Sequence, residues 1–390
     1  MKTAIINIGT VLTGQLDNPI TKPDCIVMED KKITHMGSDV DLTTCNVVVD
    51  ADGASIIPGL IDSHVHVVLG DYTPRQKTVD FLESYIHGGI TRSISASEVH
   101  APGRPKDIEG VKALALMAQR CFNNFRPGGM TVHGGSVILE PGLSEEDFKE
   151  LAREGVWLAK AGFGAFNKPK DASEVVRFAQ KHGFKVMCHT GGASIPGSSP
   201  VTAEDLLEML PDISGHVNGG PTALNNTELE KVIFDTDIAL QLVQAGNLRS
   251  ALKTVELAKE ANEFHRVLIA SDTPTGTGTM PLAVLKSIVE LTSLTNSSPG
   301  EMVAAATGNV GKAYGLEAGT LAEGKPADLL IVDAPLGGTT NTAMDAIENG
   351  DIPAIAGCFT DGTLRYLKSR NTPPAIKNIK VVSENLKVWM

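Results

Sequence analysis

The sequence predicts an α/β fold, a (β/α)₈ TIM barrel carrying a small β-sandwich domain built from both chain ends. Three observations carry that prediction. Residues 58–317 alternate strand-like and helix-like runs over a length such barrels occupy, ~250 residues. Residues 1–57 hold only short strand-like runs between Gly, Asp and Asn turns. The same β-rich texture returns over 318–390.

In chain order, "KTAIINIGTVLTG", "CIVMEDKKITHMG" and "NVVVDADGASI" read as the first strands of the small domain. The barrel strands are expected in "LIDSHVHV", "ITRSISAS", "MTVHGGSVI", "VWLAKAGF", "FKVMCHTG", "DISGHVNG", "IALQLVQ" and "RVLIASD". Between several of them, "DIEGVKALALMAQRCFNNF", "SEEDFKELAREG", "DASEVVRFAQKHG" and "NLRSALKTVELAKEAN" repeat apolar residues at three and four, the helical period. "SEED" and "DASE" carry the capping-box pattern of a helix start. "AGTLAEGKPADLLIVDA", "IAGCFTDGTLRYLKS" and "IKNIKVVS" then supply the remaining strands of the small domain.

Composition narrows the class of partner. With 42% hydrophobic and 21% charged residues the chain has ample apolar material for a core. Its formal charge of −12 argues against nucleic acid or an anionic membrane surface as partner, but leaves room for an anionic small molecule held by one local cation. The opening "MKTAIINIGTVLTG" lacks the apolar core and small-residue cleavage site of a secretory leader, and no apolar run reaches the ~20 residues of a membrane span. Cys25, Cys45, Cys121, Cys188 and Cys358 are odd in number and form no C-x-x-C pair. Reduced thiols in a cytoplasm are expected, serving as small buried apolar groups.

The ends of the barrel strands carry the chemistry, because sites on this fold lie at the C-terminal ends. His64 and His66 stand two apart, on one face of a strand and about 6 to 7 Å apart along the backbone, a spacing that suits a shared ion. Lys160, His189, His216 and Asp272 mark four further strand ends. Imidazole and carboxylate suit zinc, iron or manganese, and six side chains exceed what one tetrahedral ion requires, so two ions are expected. The bland alternative makes each histidine a hydrogen-bonded core or rim residue.

The order H-x-H, Lys, His, His, Asp, framed by "PGLIDSHVH" and "GTLAEGKPADLLIVDA", resembles the binuclear metal branch of the amidohydrolase superfamily over essentially the whole chain. Together with "FKVMCHTGGASIPGSSPVTAEDLLEMLPDISGHVNGGPTAL", it is similar to members that open a six-membered cyclic enamide. That resemblance implies 1,4,5,6-tetrahydro-6-oxonicotinate and water as reactants, with 2-formylglutarate and ammonia as products. It implies two divalent ions, zinc or iron with manganese a third option, bridged by a carbamylated lysine and a hydroxide. His64, His66 and Asp272 would hold one ion, His189 and His216 the other, and Asp272 would move the proton. Lys160 fits the bridge by register, sharing a face with Val156 and Leu158, while Lys168 reads as a loop residue just before a helix.

Weaker candidates surround this set. His133 on the third strand could polarise a carbonyl or be structural. Thr273 and Thr275 could donate to substrate or cap a helix. Arg75, Arg104 and Lys168 are the loop cations available to a substrate carboxylate, with bidentate geometry favouring arginine. The glycines of "HTGG" and "HVNGG" admit either close backbone approach or tight turns. A mononuclear deaminase of the superfamily would normally carry a Glu soon after the fifth-strand histidine, and "HTGGASIP" has none. Other cyclic amidases, hydantoinase-like or dihydroorotase-like, share the same ligands. A non-catalytic binding module would have lost ligands, and none is missing. Relatives in this superfamily form dimers or tetramers, so a homo-oligomer is expected.

Overall fold

Each barrel strand forms where the alternation places it. In the computed structural model, which describes residues 1–67, 78–97, 104–162, 166–193, 198–274 and 278–384, the strands run Leu60–Val65, Ile90–Ser95, Thr131–His133 continued by Ser136–Ile138, Leu158–Ala161, Lys185–His189, Ile213–Gly215, Ala239–Val243 and Val267–Ala270. Neighbours pair in parallel throughout. The third strand is interrupted at Gly134–Gly135, and the left-handed Gly135 (φ 94°) marks the break.

Side-chain alternation sorts the residues into two layers. Ile61, Ile94, Leu158, Met187, Ile213, Ala239 and Leu268 fill the barrel interior, closed below by Val310 and Tyr314. Ala159, Ala161, Val186, Cys188, Leu240, Leu242, Val267 and Ile269 face the helical layer. The apolar stripes of Ile108–Asn124, Glu145–Arg153, Ser173–Lys181 and Leu248–Glu260 cover that outer face, as their helical periodicity requires. Lys160 shares a register with Leu158 and therefore enters the interior.

The barrel closes where its first and last strands meet. Asp272 N donates to His64 O at 2.9 Å and His66 N donates to Thr273 O at 2.9 Å. The buried carboxylate of Asp62 stitches the same seam, Oδ1 accepting from His64 N at 3.2 Å and from Ser271 N at 3.0 Å.

Two further sheets mix strands from both chain ends. One runs Lys380–Glu384, Val47–Asp50, Thr3–Ile6, Cys25–Glu29, Lys32–Gly37; the other runs Thr363–Leu367, Ala354–Thr360, Leu329–Asp333, Ser55–Pro58, Thr10–Leu12, Ile20–Thr21. Ile5, Ile26 and Val49 of the first pack with Ile56, Leu329 and Ile331 of the second in one apolar cluster. The opposite face of the second sheet, Ile57, Leu330 and Val332, joins the barrel's outer core. Arg92 of the second barrel strand ties the two parts, its Nη2 lying 2.6 Å from Asp328 Oδ2.

Two local expectations need correction. Ser144 and Asp147 form the capping box expected of "SEED". Asp171 of "DASE" instead lies in a 3₁₀ turn, Pro169–Ala172, where its carboxylate accepts from Lys168 N at 3.3 Å, and the α-helix starts only at Ser173 without a side-chain cap. The C-terminal β region also contains a helix, Ala343–Asn349, capped by Thr342 and ended by left-handed Gly350, which docks Ala343 and Ile347 on the barrel. All five cysteines are free thiols, four of them buried. Among the described residues no helix is long and apolar enough to cross a membrane.

Candidate metal centre

The histidines and the aspartate named from the sequence converge at the C-terminal mouth of the barrel. Donor atoms of His64, His216 and Asp272 all lie within 4.8 Å of one another. Asp272 Oδ1 is 2.9 Å from His66 Nε2 and 3.4 Å from His64 Nε2. The His189 and His216 rings lie 4.5 Å apart between centroids, and those of His64 and His216 5.3 Å.

Two of these residues reach the site through unusual backbone. Ile213 faces the interior, so plain alternation would turn His216 outward; its left-handed conformation, φ 44°, ends the alternation and brings the ring back to the others. Asp272 is also left-handed, φ 59°. Such conformations cost non-glycine residues of order 1–3 kcal/mol each and collect at functional sites. Gly191, at φ 92°, serves the turn: a Cβ there would lie 1.7 Å from Thr222 O, so the loop after the fifth strand could not pack on the loop after the sixth.

The electrostatics fit a cation. Burial depresses the imidazoles, taking His216 to about 3 and His189 to about 4, and lowers His64 well below its ordinary value, with Lys160 adding to the effect. Neutral imidazole is the ligating form. Burial pushes the Asp272 carboxyl up, but the adjoining His64, His66 and His216 more than reverse this and hold it well below the usual carboxylate range. Nδ1 of His216 is buried with no hydrogen-bond partner among the described residues. Neutral imidazoles around an ionised carboxylate form a donor set suited to zinc, iron or manganese.

Lys160 is fully buried, and its Nζ donates to Met187 Sδ at 3.0 Å. Burial lowers its pKa to about 8, so the neutral amine is accessible near physiological pH. Lys168 is exposed and starts the 3₁₀ turn, away from the barrel interior.

The outlying candidates fall elsewhere. His133 packs edge-on against Trp157, 5.5 Å between ring centroids, outside the set whose donor atoms converge. Burial, with Arg92 and Arg126, takes its pKa to about 3. Thr273 is fully buried, its hydroxyl bonded to Tyr85 and to Ser271 Oγ at 2.9 Å, so it belongs to the closing seam and its hydroxyl is already engaged. Arg104 pairs with buried Glu140 at 2.5 Å, so that guanidinium already has a carboxylate partner. Arg75 and Thr275 lie outside the described residues.

Sequence reasoning missed Gln241, whose Oε1 lies 2.5 Å from His64 Nδ1. The signal was available: Gln241 is a polar side chain at an interior position in the middle of "IALQLVQ".

Comparison with known proteins agrees with this architecture. Residues 215–366 match the model of the amidohydrolase family. The chain is 46% identical over 384 residues to enamidase of Eubacterium barkeri, covering 98% of this chain and 100% of that one. It is 25% identical over 379 residues to imidazolonepropionase of Micrococcus luteus, covering 85% and 93%. The crystal structure of enamidase superposes with a TM-score of 0.93 at 46% identity over 98% of this chain and 100% of that one. D-hydantoinase from Thermus superposes at 0.62 with 17% identity over 93% and 94%, a likeness of fold alone. By that full-length match in sequence and in fold, the chain belongs to the amidohydrolase family, alongside enamidase.

Proposed function

We propose that this chain is a metal-dependent hydrolase of C–N bonds that opens a cyclic amide in the enamidase reaction. The carrying observation is the convergence of His64, His216 and Asp272 in a chain matching enamidase from end to end. The substrate would be 1,4,5,6-tetrahydro-6-oxonicotinate. Water adds to the ring carbonyl and the C–N bond breaks. The freed enamine tautomerises to an imine, which a second water hydrolyses to 2-formylglutarate and ammonia.

His64, His66 and Asp272 would hold one divalent ion and His189 and His216 a second, with Lys160 between them as its carbamate. When bound, such ions polarise a carbonyl and ionise water near neutral pH. Lys160 must first lose its proton, and its burial favours that; the neutral amine would then add to carbon dioxide and shed a second proton, giving an anionic oxygen donor. Asp272, ionised and hydrogen-bonded to His66, is the group to accept a proton and pass it to the departing nitrogen. His133 is kept neutral beside Trp157, outside the donor set, and is given no part in the reaction. Zinc and iron suit the donor set best.

The shared apolar cluster supports reading the two mixed sheets as one β-sandwich domain, 1–57 with 318–390, beside a barrel of 58–317. A cytoplasmic dimer or tetramer acting on a small anionic cyclic amide completes the reading.

The test is hydrolysis of a panel containing tetrahydro-oxonicotinate, a hydantoin, dihydrouracil, dihydroorotate and a cyclic amidine by purified metal-replete protein, following ammonia and aldehyde. Turnover of the oxonicotinate with release of both is expected. Ring opening of dihydroorotate or hydantoin alone would assign the chain to another cyclic amidase, and ammonia from an amidine with one metal per chain would make it a deaminase.

A further inference from the structure

The seventh barrel strand, Ala239–Val243, supplies none of the six proposed ligands, yet it carries Gln241, fully buried in the barrel interior. Leu240 and Leu242 on either side face the helical layer. Gln241 instead reaches across the interior to the first strand, and both ends of its amide are engaged. Nε2 donates to Ser63 O at 3.2 Å and to Ser63 Oγ at 2.8 Å, while Oε1 faces His64 Nδ1 at 2.5 Å.

These contacts settle which atom is which. A backbone carbonyl can only accept, so the amide end at Ser63 O must be the NH₂ group, and the end at His64 must be the oxygen. That oxygen also only accepts, so Nδ1 of His64 must carry the hydrogen. In a neutral imidazole the other nitrogen then holds the lone pair. That nitrogen, Nε2, is the one lying 3.4 Å from Asp272 Oδ1, at the centre of the cluster.

We infer that Gln241 is a positioning residue that locks His64 in its Nδ1–H tautomer and holds the ring so that Nε2 is the metal-donating atom. This rests on the metal-centre reading above. Its chemistry explains a neutral amide at this place. A glutamine offers His64 an acceptor without adding a formal charge to an interior that already holds Asp62 and Asp272, and its donors satisfy Ser63 at the same time. Partners of this kind typically govern metal affinity by ~10–100-fold.

The experiment measures zinc affinity by chelator competition and urea unfolding of the metal-free protein, on wild type, Gln241→Met and Gln241→Glu. The methionine fills the space with no more than a weak thioether acceptor, whereas the glutamate keeps a full acceptor toward His64 and gives up the donors to Ser63. The expected result is zinc binding ~10–100-fold weaker in Gln241→Met and within a factor of a few of wild type in Gln241→Glu, whose lost donors to Ser63 show instead as a lower unfolding midpoint of the metal-free protein. Undiminished zinc affinity in Gln241→Met overturns the inference, as does an equal loss in Gln241→Glu, which would mark a packing role. Should Gln241→Met not fold, the ¹⁵N shifts of His64 in the wild-type protein decide: a hydrogen on Nε2 rather than Nδ1 overturns it. Wild-type protein that binds no zinc would defeat the metal-centre reading instead, while the tautomer remains measurable.

Discussion

Lys160 points its amine at a sulfur atom, Nζ to Met187 Sδ 3.0 Å, in the interior of the barrel. Burial away from water disfavours the charged ammonium form. The same burial that brings its pKa to about 8 makes this lysine a better candidate for carbamylation than one on the surface. Lys160→Ala is expected to abolish activity and to lower metal content, while Lys168→Ala, on an exposed turn, leaves both near wild type. Metal analysis and turnover on the same preparations check this. A Lys160 variant that keeps both ions and near-normal turnover without added short-chain acid would refute the bridge.

Asp272 has two proposed roles that one substitution separates. Asp272→Asn retains an oxygen able to ligate weakly, so most of the metal is expected to stay. Losing the proton carrier should lower kcat by ~10²–10⁴-fold. Full metal with kcat reduced only a few-fold would move proton transfer to another group.

Stability of the metal-free protein should fall as pH drops. His133 and His216 titrate near 3 and His189 near 4 in the folded chain, whereas an unfolded histidine titrates near ~6.5. Below ~6.5 the unfolded state therefore binds more protons, and stability declines from there down to the folded values. Asp62 works in the opposite sense: its carboxyl is raised to about 7 by burial, so its contribution is lost as pH rises from ~4 to that value. His133→Phe isolates one histidine outside the ligand set. Its unfolding free energy from urea titration should fall less than that of wild type between pH 7.5 and 5, by an amount of order 1–2 kcal/mol. Parallel pH profiles for the two proteins would show that His133 is not held neutral.

Chelation should remove activity reversibly. On the proposed reading the metals sit at the mouth, and the apolar core of the barrel would hold the fold when they leave. Zinc, iron or manganese is expected to restore turnover, read by activity against metal added back. Full activity in a demonstrably metal-free sample would sink the hydrolytic mechanism.

Most of this architecture is legible in the sequence because it obeys short-range periodicity. "RVLIASD" and "FKVMCHTG" place Asp272 and His189 at strand ends simply by where the β-branched run stops. The register of Lys160 with Leu158 puts it inside and leaves Lys168 outside by the same logic. What the pattern hides is long-range or conformational. The inward turn of His216 depends on a left-handed backbone that no alternation predicts. The Gln241–His64 contact spans 177 residues of chain. Thr273 read as a substrate donor or helix cap because its partners, Tyr85 and Ser271, are brought to it by barrel closure. The helix Ala343–Asn349 is short enough to be lost among strands, although Thr342 and Gly350 mark its ends.

The seam that closes the barrel also sets a timetable. His64 and His66 donate and accept the backbone hydrogen bonds that seat the Asp272–Thr273 segment, and 206 residues separate His66 from Asp272. During synthesis the two histidines emerge first and have no carboxylate opposite them until the last strand has been made and registered against the first. A full ligand shell can therefore form only on a finished, correctly closed barrel. On the proposed metal reading, metal uptake by the nascent or refolding chain would report the topology of the whole domain, and a chain truncated before strand eight should remain metal-poor however well its first seven strands are made.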